Sequence, residues 1–134
     1  MSIEQYLEKQ VPERAKLLRD IHAIILKADK KAVADMGKMM GAEMIIYKTG
    51  GVFNYGLASM KDYMSLHAMP IYGLPKLHEK YRLLLPEANF QKGCINFKDA
   101  NAMPLKVVKS LMEDCAKIDM VALMEEARKA RKKK

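Results

Sequence analysis

The residues with the greatest capacity for chemistry in this 134-residue chain are three histidines and two cysteines, namely His22, His67, His78, Cys94 and Cys115. Imidazole titrates near neutral pH and binds metals, and a thiolate is a nucleophile. No CxxC spacing occurs. His78 and Glu79 could begin an HExxH zinc motif, but Arg82 stands where its second histidine would be. His67 with Cys94 is a candidate thiolate pair, but an inert strand cysteine is favoured, because nothing else in the sequence indicates activation.

Twelve methionines suggest a second kind of chemistry. Thioether sulfur is a soft ligand that suits copper(I). The methionines are spread along the chain, however, at core-like positions such as Met44, Met64 and Met112. Flexible filling of a hydrophobic core is therefore the favoured interpretation.

The net charge of +8 is concentrated at the C-terminus. Six basic residues fall within the last seven positions, so the rest of the chain is nearly balanced. Such a tail is a candidate for contacts with nucleic-acid phosphates. A frayed, solvated end is the favoured interpretation. No aromatic residues alternate with the charges, so the tail has no side chains that could stack on bases. The residues concerned are Arg128, Lys129, Arg131, Lys132, Lys133 and Lys134.

Length and composition predict one cytoplasmic domain. A chain of 134 residues, half of them hydrophobic, can bury a core without disulfide or metal support. Two widely separated cysteines indicate a reducing compartment. The first twenty residues carry charges throughout, so no signal peptide is expected, and no apolar run is long enough for a membrane span. We therefore expect no membrane partner.

Helices are predicted at both ends of the chain and once in its middle. Ser2 and Gln5 have the spacing of a capping box, and Pro12 suits the first turn of the helix that follows. Apolar residues recur at helical spacing over residues 17–28, 77–85 and 107–115, and a last amphipathic piece runs into the basic tail.

Strand formers fill the region between these helices. Residues 43–49 and 52–59 flank Gly50 and Gly51, a pair typical of a hairpin turn. A second turn at Lys61 and Asp62 leads into residues 63–68, residues 94–97 form a short strand, and residues 33–40 fit a first strand only weakly. These patterns predict an α+β fold: an antiparallel β-sheet meander with helices packed on one face.

Turn register then assigns the two faces of the sheet. If each turn is a two-residue loop, Tyr47 pairs with Asn54, and Gly56 pairs with His67. The core face would contain Met44, Ile46, Phe53, Tyr55, Leu57, Met64, Leu66, Ile95 and Phe97. The other face would be polar around a dent at Gly56, and it is the candidate ligand-binding surface: Tyr47, Asn54, Gly56, Ser65, His67 and Asn96. An ordinary solvated sheet face is the favoured alternative.

Four segments of the sequence form a recognisable set: the N-terminal residues 3–7 and 11–14, the strand region 55–66, and the run 93–98, which is followed after a short gap by the Met-Pro-Leu start of a helix. Together they resemble the YdhG-like family of domains of unknown function. The resemblance divides the chain into a YdhG-like domain, residues 1–118, and a helical extension with a basic tail, residues 119–134. It implies a frataxin-like architecture and no agreed catalytic motif, and some relatives are described as iron chaperones.

The resemblance makes iron a cofactor to consider by analogy alone. Hard iron ions prefer oxygen ligands, and the acidic residues of the N-terminal helices are the candidates: Glu4, Glu8, Glu13 and Asp20. Basic residues are interleaved with them, which is typical of a solvated helix surface.

Function is therefore predicted as a non-enzymatic domain that binds an unidentified small ligand or protein. The alternatives are an iron-binding chaperone of frataxin type and an enzyme that uses the polar sheet face around His67. A lone histidine without an orienting carboxylate is weak support for the enzyme.

Overall fold

Six helices and six strands are formed by the residues that the computed structural model describes, which are 1–39, 41–91 and 93–132. The helices are α1 (Ile3–Glu8), α2 (Pro12–Ala28), α3 (Met69–Gly73), α4 (Pro75–Leu84), α5 (Leu105–Ala116) and α6 (Met120–Lys132). The strands are β1 (Val33–Met39), β2 (Ala42–Thr49), β3 (Val52–Ser59), β4 (Met64–Ala68), β5 (Asn89–Gln91) and β6 (Cys94–Phe97).

All neighbouring strands pair antiparallel, in the order β1-β2-β3-β4-β6-β5. The first four strands form a simple meander, and only the last two exchange places. The predicted α+β class and antiparallel sheet are therefore confirmed. No helix in the described part of the chain is both long and apolar enough to cross a membrane.

The N-terminal helices begin where their capping residues predict. The Gln5 amide donates to Ser2 Oγ at 3.1 Å, and the Ser2 amide donates to Gln5 Oε1 at 2.8 Å, so the capping box is complete. Pro12 opens α2, where its missing N–H costs nothing. The predicted apolar stripe of α2 is buried, and each such aliphatic side chain contributes about 1.5–3 kcal/mol by leaving water.

The hydrophobic core lies between one face of the sheet and the helices. Tyr55, Leu57 and Leu66 on the central strands are completely buried in it, as is Ile95 on β6. Met64 and Phe97 also belong to this cluster, so six of the residues predicted for the core face are confirmed.

The second hairpin has the predicted register. Leu57 pairs with Leu66, Gly56 pairs with His67, and the Met60 amide donates to the Tyr63 carbonyl across the turn. Two residues at a tight turn thus determined the pairing along both strands.

The first hairpin has the predicted register only at its turn. Thr49 pairs with Val52, but a β-bulge follows, so that Tyr47 pairs with Tyr55 and Asn54 is the extra residue. The predicted pairing of Tyr47 with Asn54 is wrong. Because a shift of one residue exchanges the two faces of a strand, Ile45 and Tyr47 point into the core.

Three further residues predicted for the core face therefore lie on the opposite side. Met44 and Ile46 alternate with the buried Ile45 and Tyr47, and the ring of Phe53 lies against Gly56. The bulged register is favoured because it buries the aromatic ring of Tyr47 in the core. There the ring makes an edge contact with Tyr55, with 6.3 Å between the ring centroids.

The remaining differences concern short elements. The short helix α3 forms between β4 and α4, where no helix was predicted. No sequence pattern predicted β5 at the sheet edge. The weakly predicted first strand is β1, although Met40 lies outside the described residues.

Candidate functional site

The sheet face opposite the hydrophobic core, here called the outer face, collects polar side chains from three adjacent strands. His67 on β4 stands between Gly56 on β3 and Cys94 on β6, and Ser65 pairs with Asn96. Four of the six predicted ligand-binding residues are therefore brought together here: Gly56, Ser65, His67 and Asn96. Cys94, the candidate partner of His67, lies on this face as well.

A short chain of side-chain contacts crosses the outer face. Cys94 Sγ lies 3.0 Å from Nδ1 of His67, and the other ring nitrogen, Nε2, lies 3.4 Å from Ser65 Oγ. Burial lowers the pKa of His67 and raises the pKa of Cys94, because desolvation disfavours the charged form of each. The pair is accordingly a neutral imidazole beside a neutral thiol at pH 7. It is not a thiolate–imidazolium pair.

Two adjoining cavities of about 470 Å³ and about 240 Å³ open on this face. Tyr63, Gln91 and Asn96 line both, so the two form one cleft. Ser65, His67 and Cys94 line the smaller cavity. The larger cavity lies over β5 and β6 and has charged residues on its wall: Glu87, Lys98 and Asp99.

The predicted dent at Gly56 is occupied by neighbouring side chains. A Cβ atom on Gly56 would stand 2.9 Å from Met44 Sδ and 3.3 Å from Phe53 Cζ. Gly56 therefore makes room for these two side chains, and the cleft opens beside them, over Ser65 and Asn96.

Tyr47 does not belong to the outer face. It is completely buried in the core, and its hydroxyl lies 2.6 Å from Nδ1 of His22 on α2. Burial raises the pKa of Tyr47 and lowers that of His22. The contact with Tyr47 joins α2 to β2 and gives His22 a structural role.

Asn54 lies apart from the cleft as well. As the extra residue of the bulge it is buried, and its Nδ2 donates to Thr49 Oγ1 at 3.0 Å. It lines a separate cavity of about 190 Å³ beside Asp29 and the α5–α6 connection. The six residues predicted to bind a ligand therefore do not form one cluster. Four lie on the outer face, Tyr47 lies in the core, and Asn54 lies at the cavity beside Asp29.

The turn between β3 and β4, which carries Met60 and Tyr63 into the cleft, is held by the N-terminal helices. The Arg14 guanidinium on α2 donates to Ser59 Oγ at 2.9 Å and to the Met60 carbonyl. The Ser59 amide donates to the Tyr6 hydroxyl at 2.8 Å. Arg14 lies off the apolar stripe of α2 in the sequence, and no pattern signals that it positions this turn.

The acidic residues proposed for iron are engaged elsewhere or exposed. Glu4 pairs with Arg19 at 2.7 Å, and Asp20 pairs with Lys16 at 3.1 Å. Glu8 and Glu13 are exposed. Among the described residues, no group of three or more histidine, cysteine or acidic side chains is arranged to hold a metal ion.

The basic tail is helical as far as it is described. Arg128 and Lys129 are exposed on α6, and the backbone of residues 131 and 132 continues that helix. Lys133 and Lys134 lie outside the described residues. Binding of nucleic acid by this tail stays a prediction.

Comparison with known proteins leaves the description at the level of fold and site. No protein-family model, curated protein or solved structure matches the chain. The class that its structure defines is an α+β domain with a six-stranded antiparallel sheet and a polar cleft on the outer face of that sheet.

Proposed function

We propose that this chain is a non-enzymatic binding domain that holds a small polar ligand in the outer-face cleft. The observation that carries the proposal is the convergence of amide, hydroxyl, imidazole and thiol groups from β4, β5 and β6 on one concavity. Small-molecule sites typically occupy about 300–1,000 Å³ and combine a few polar groups with apolar walls. Cavities of about 470 and 240 Å³ that adjoin each other fit that description.

The lining defines the chemistry of the ligand. The side-chain amides of Gln91 and Asn96 each offer donors and an acceptor, and Ser65 adds a hydroxyl. Met44, Met60 and Tyr63 supply apolar surface beside them. We therefore expect a ligand with mixed donors and acceptors and a small apolar part.

The positions of these groups favour binding over catalysis. They stand on paired strands, which hold side chains more firmly than loops do. The Cys94 thiol is uncharged, and the hydrogen-bond partners that the described residues offer His67 are Ser65 and Cys94, neither of them a carboxylate. A nucleophile normally needs a lowered pKa or an oriented base, so the enzyme is the weaker alternative.

We also propose kinship with the YdhG-like family, on the segments that resemble it. An antiparallel sheet with helices packed against it supports this kinship at the level of fold class. The frataxin-type iron chaperone is the remaining alternative, and it has less support, because the described acidic residues of α1 and α2 do not converge.

A metabolite library screened by two-dimensional ¹H–¹⁵N NMR tests the proposal. We expect a hit to shift the amides of Ser65, His67 and Asn96 and the side-chain amide of Gln91. Asn96→Ala removes hydrogen bonds worth about 1–1.5 kcal/mol, so affinity should fall about tenfold. Asn101→Ala, on an exposed loop residue, is the matched control and should bind normally. Hits confined to the helices, or equal binding by both variants, would contradict the proposal.

A further inference from the structure

The floor of the outer-face cleft contains a row of polar side chains that crosses three strands. Asn96 on β6 pairs with Asn89 on β5 and with Ser65 on β4. Directly opposed residues share a face of the sheet, and their Cβ atoms lie about 4.5–5.5 Å apart. The two amides and the hydroxyl therefore form one continuous row about 10 Å long, and all three residues line the cleft.

A basic and an aromatic residue stand beside this row, at the larger cavity. Lys98 comes two positions after Asn96, and Tyr63 comes two positions before Ser65, so the alternation of the two strands directs both side chains toward the outer face. Both residues line the larger cavity, in agreement with that direction. Tyr63 is half-buried and lines the smaller cavity as well, so it lies where the two cavities meet.

The charges of the larger cavity disfavour an anionic ligand. Among the described residues that line it, Glu87 and Asp99 are acidic and only Lys98 is basic. Asp99 Oδ1 accepts from the Ala102 amide at 3.1 Å, which holds that carboxylate in place. A phosphate or carboxylate group of a ligand would therefore meet an excess of negative charge.

The hydrogen-bonding groups of the lining match a ligand that carries several hydroxyl groups. A carboxylate only accepts, and an amide side chain both donates and accepts. A hydroxyl can pair with either, because it also donates and accepts. A flat nucleobase fits less well, because bases are normally stacked on aromatic or apolar side chains, and the floor of this cleft is polar.

Tyr63 offers the apolar contact that suits a sugar. A sugar ring has a face of C–H groups whose hydrogens carry partial positive charge, and the face of an aromatic ring is negative. The volume of about 470 Å³ lies in the lower part of the range for small-molecule sites, so the larger cavity admits one sugar ring and not a chain of them.

We propose that the larger cavity of the cleft binds one uncharged monosaccharide. Its hydroxyl groups pair with the amides of Asn89 and Asn96 and with the carboxylate of Glu87, and the C–H face of its ring lies against Tyr63. This inference rests on the proposed function, because it names the class of ligand for the same cleft.

Titration of the ¹⁵N-labelled full-length protein with D-glucose, D-galactose, D-mannose and D-ribose, followed by ¹H–¹⁵N NMR, tests the inference. We expect at least one of these sugars to shift the side-chain amides of Asn89 and Asn96 at millimolar concentration. The phosphate ester of the sugar that binds is the anionic comparison, and uracil is the planar one. Both should shift these amides less than the sugar does.

Variants of the proposed contacts sharpen the test. Tyr63→Leu removes the ring and should weaken sugar binding about two- to tenfold, whereas Tyr63→Phe should bind as the wild type does. Glu87→Gln replaces a charged acceptor with a neutral one, so it should weaken binding about fivefold and reduce the preference for the sugar over its phosphate ester. The matched controls are Tyr72→Leu and Glu79→Gln, on exposed residues of α3 and α4, and both should bind normally.

Melting curves show whether each variant is folded, and Glu87→Gln, on an exposed residue, decides the matter if Tyr63→Leu does not fold. Absence of any shift with all of the sugars would overturn the inference, as would equal affinity of Tyr63→Leu and Tyr72→Leu or tighter binding of the phosphate ester. If uracil or another hit of the metabolite screen shifts Asn96 while no sugar does, the inference is wrong and the proposed function stands. Sugar-induced shifts confined to the helices would contradict both.

Discussion

Replacing Tyr47 with alanine tests the bulged register of the first hairpin. The Tyr47 side chain is completely buried, its ring contacts Tyr55 and His22, and its hydroxyl lies 2.6 Å from Nδ1 of His22. Removing a buried aromatic ring usually costs about 3–5 kcal/mol. For 134 residues, with an unfolding entropy of about 2.1 cal/mol/K each, that cost lowers Tm by about 11–18 °C.

Calorimetry or urea denaturation measures this loss, and two variants control it. Tyr47→Phe keeps the ring and removes the hydroxyl, so it should cost about 1–2 kcal/mol. Asn96→Ala changes a half-buried residue of the outer face and should cost less than about 1 kcal/mol. If Tyr47→Ala melted within about 2 °C of the wild type, Tyr47 would lie on the outer face, and the bulge would be refuted.

Two further results are expected. Burial lowers the pKa of both His22 and His67, so the unfolded chain takes up protons first as pH falls. The stabilisation is fully present above the ordinary histidine pKa of about 6.5, and it is lost as pH falls from there through the lowered pKa values of the folded state. Urea midpoints at pH 7.5 and 5.5 measure this loss, and His67→Gln should make the midpoint less dependent on pH. Equal wild-type midpoints at the two pH values would contradict the prediction. Arg14→Ala removes the donors that hold Ser59 and the Met60 carbonyl, so it should lower the free energy of unfolding by about 1–2 kcal/mol. Amide hydrogen exchange in the β3–β4 turn should become faster, and unchanged exchange would show that Arg14 does not position this turn.

Much of the fold follows from patterns that are local in the chain. The α2 stripe, the Ser2–Gln5 capping box and the turn at Lys61 and Asp62 each depend on neighbours a few residues apart. The bulge at Asn54 does not. Gly50 and Gly51 determine only the strand pairs next to the turn. Whether β3 contains Asn54 as an extra residue depends on the burial of the Tyr47 ring in the core, which the local sequence does not indicate.

The candidate site was predicted in part for the same reason. Ser65 and His67 lie on β4, whose register the second turn determines. Cys94 and Asn96 alternate with the apolar Ile95 and Phe97 on β6, which assigns them to the outer face. Gln91 was missed because β5 has three residues, too few to show a period. Met44 was assigned to the core because its face depends on the bulge, and the thioethers of the cleft could not be distinguished from core methionines without it.

The most direct test of the outer-face cleft is alkylation of the two cysteines, followed by mass spectrometry, with and without a ligand found in the metabolite screen. Cys94 is half-buried and lines the cleft, whereas Cys115 is completely buried in the core. In the native protein we expect iodoacetamide to modify Cys94 slowly, as the raised pKa of its thiol requires, and to leave Cys115 intact until the chain unfolds. A saturating ligand should protect Cys94; unchanged modification of Cys94 in the presence of that ligand would place the ligand elsewhere and contradict the proposed site.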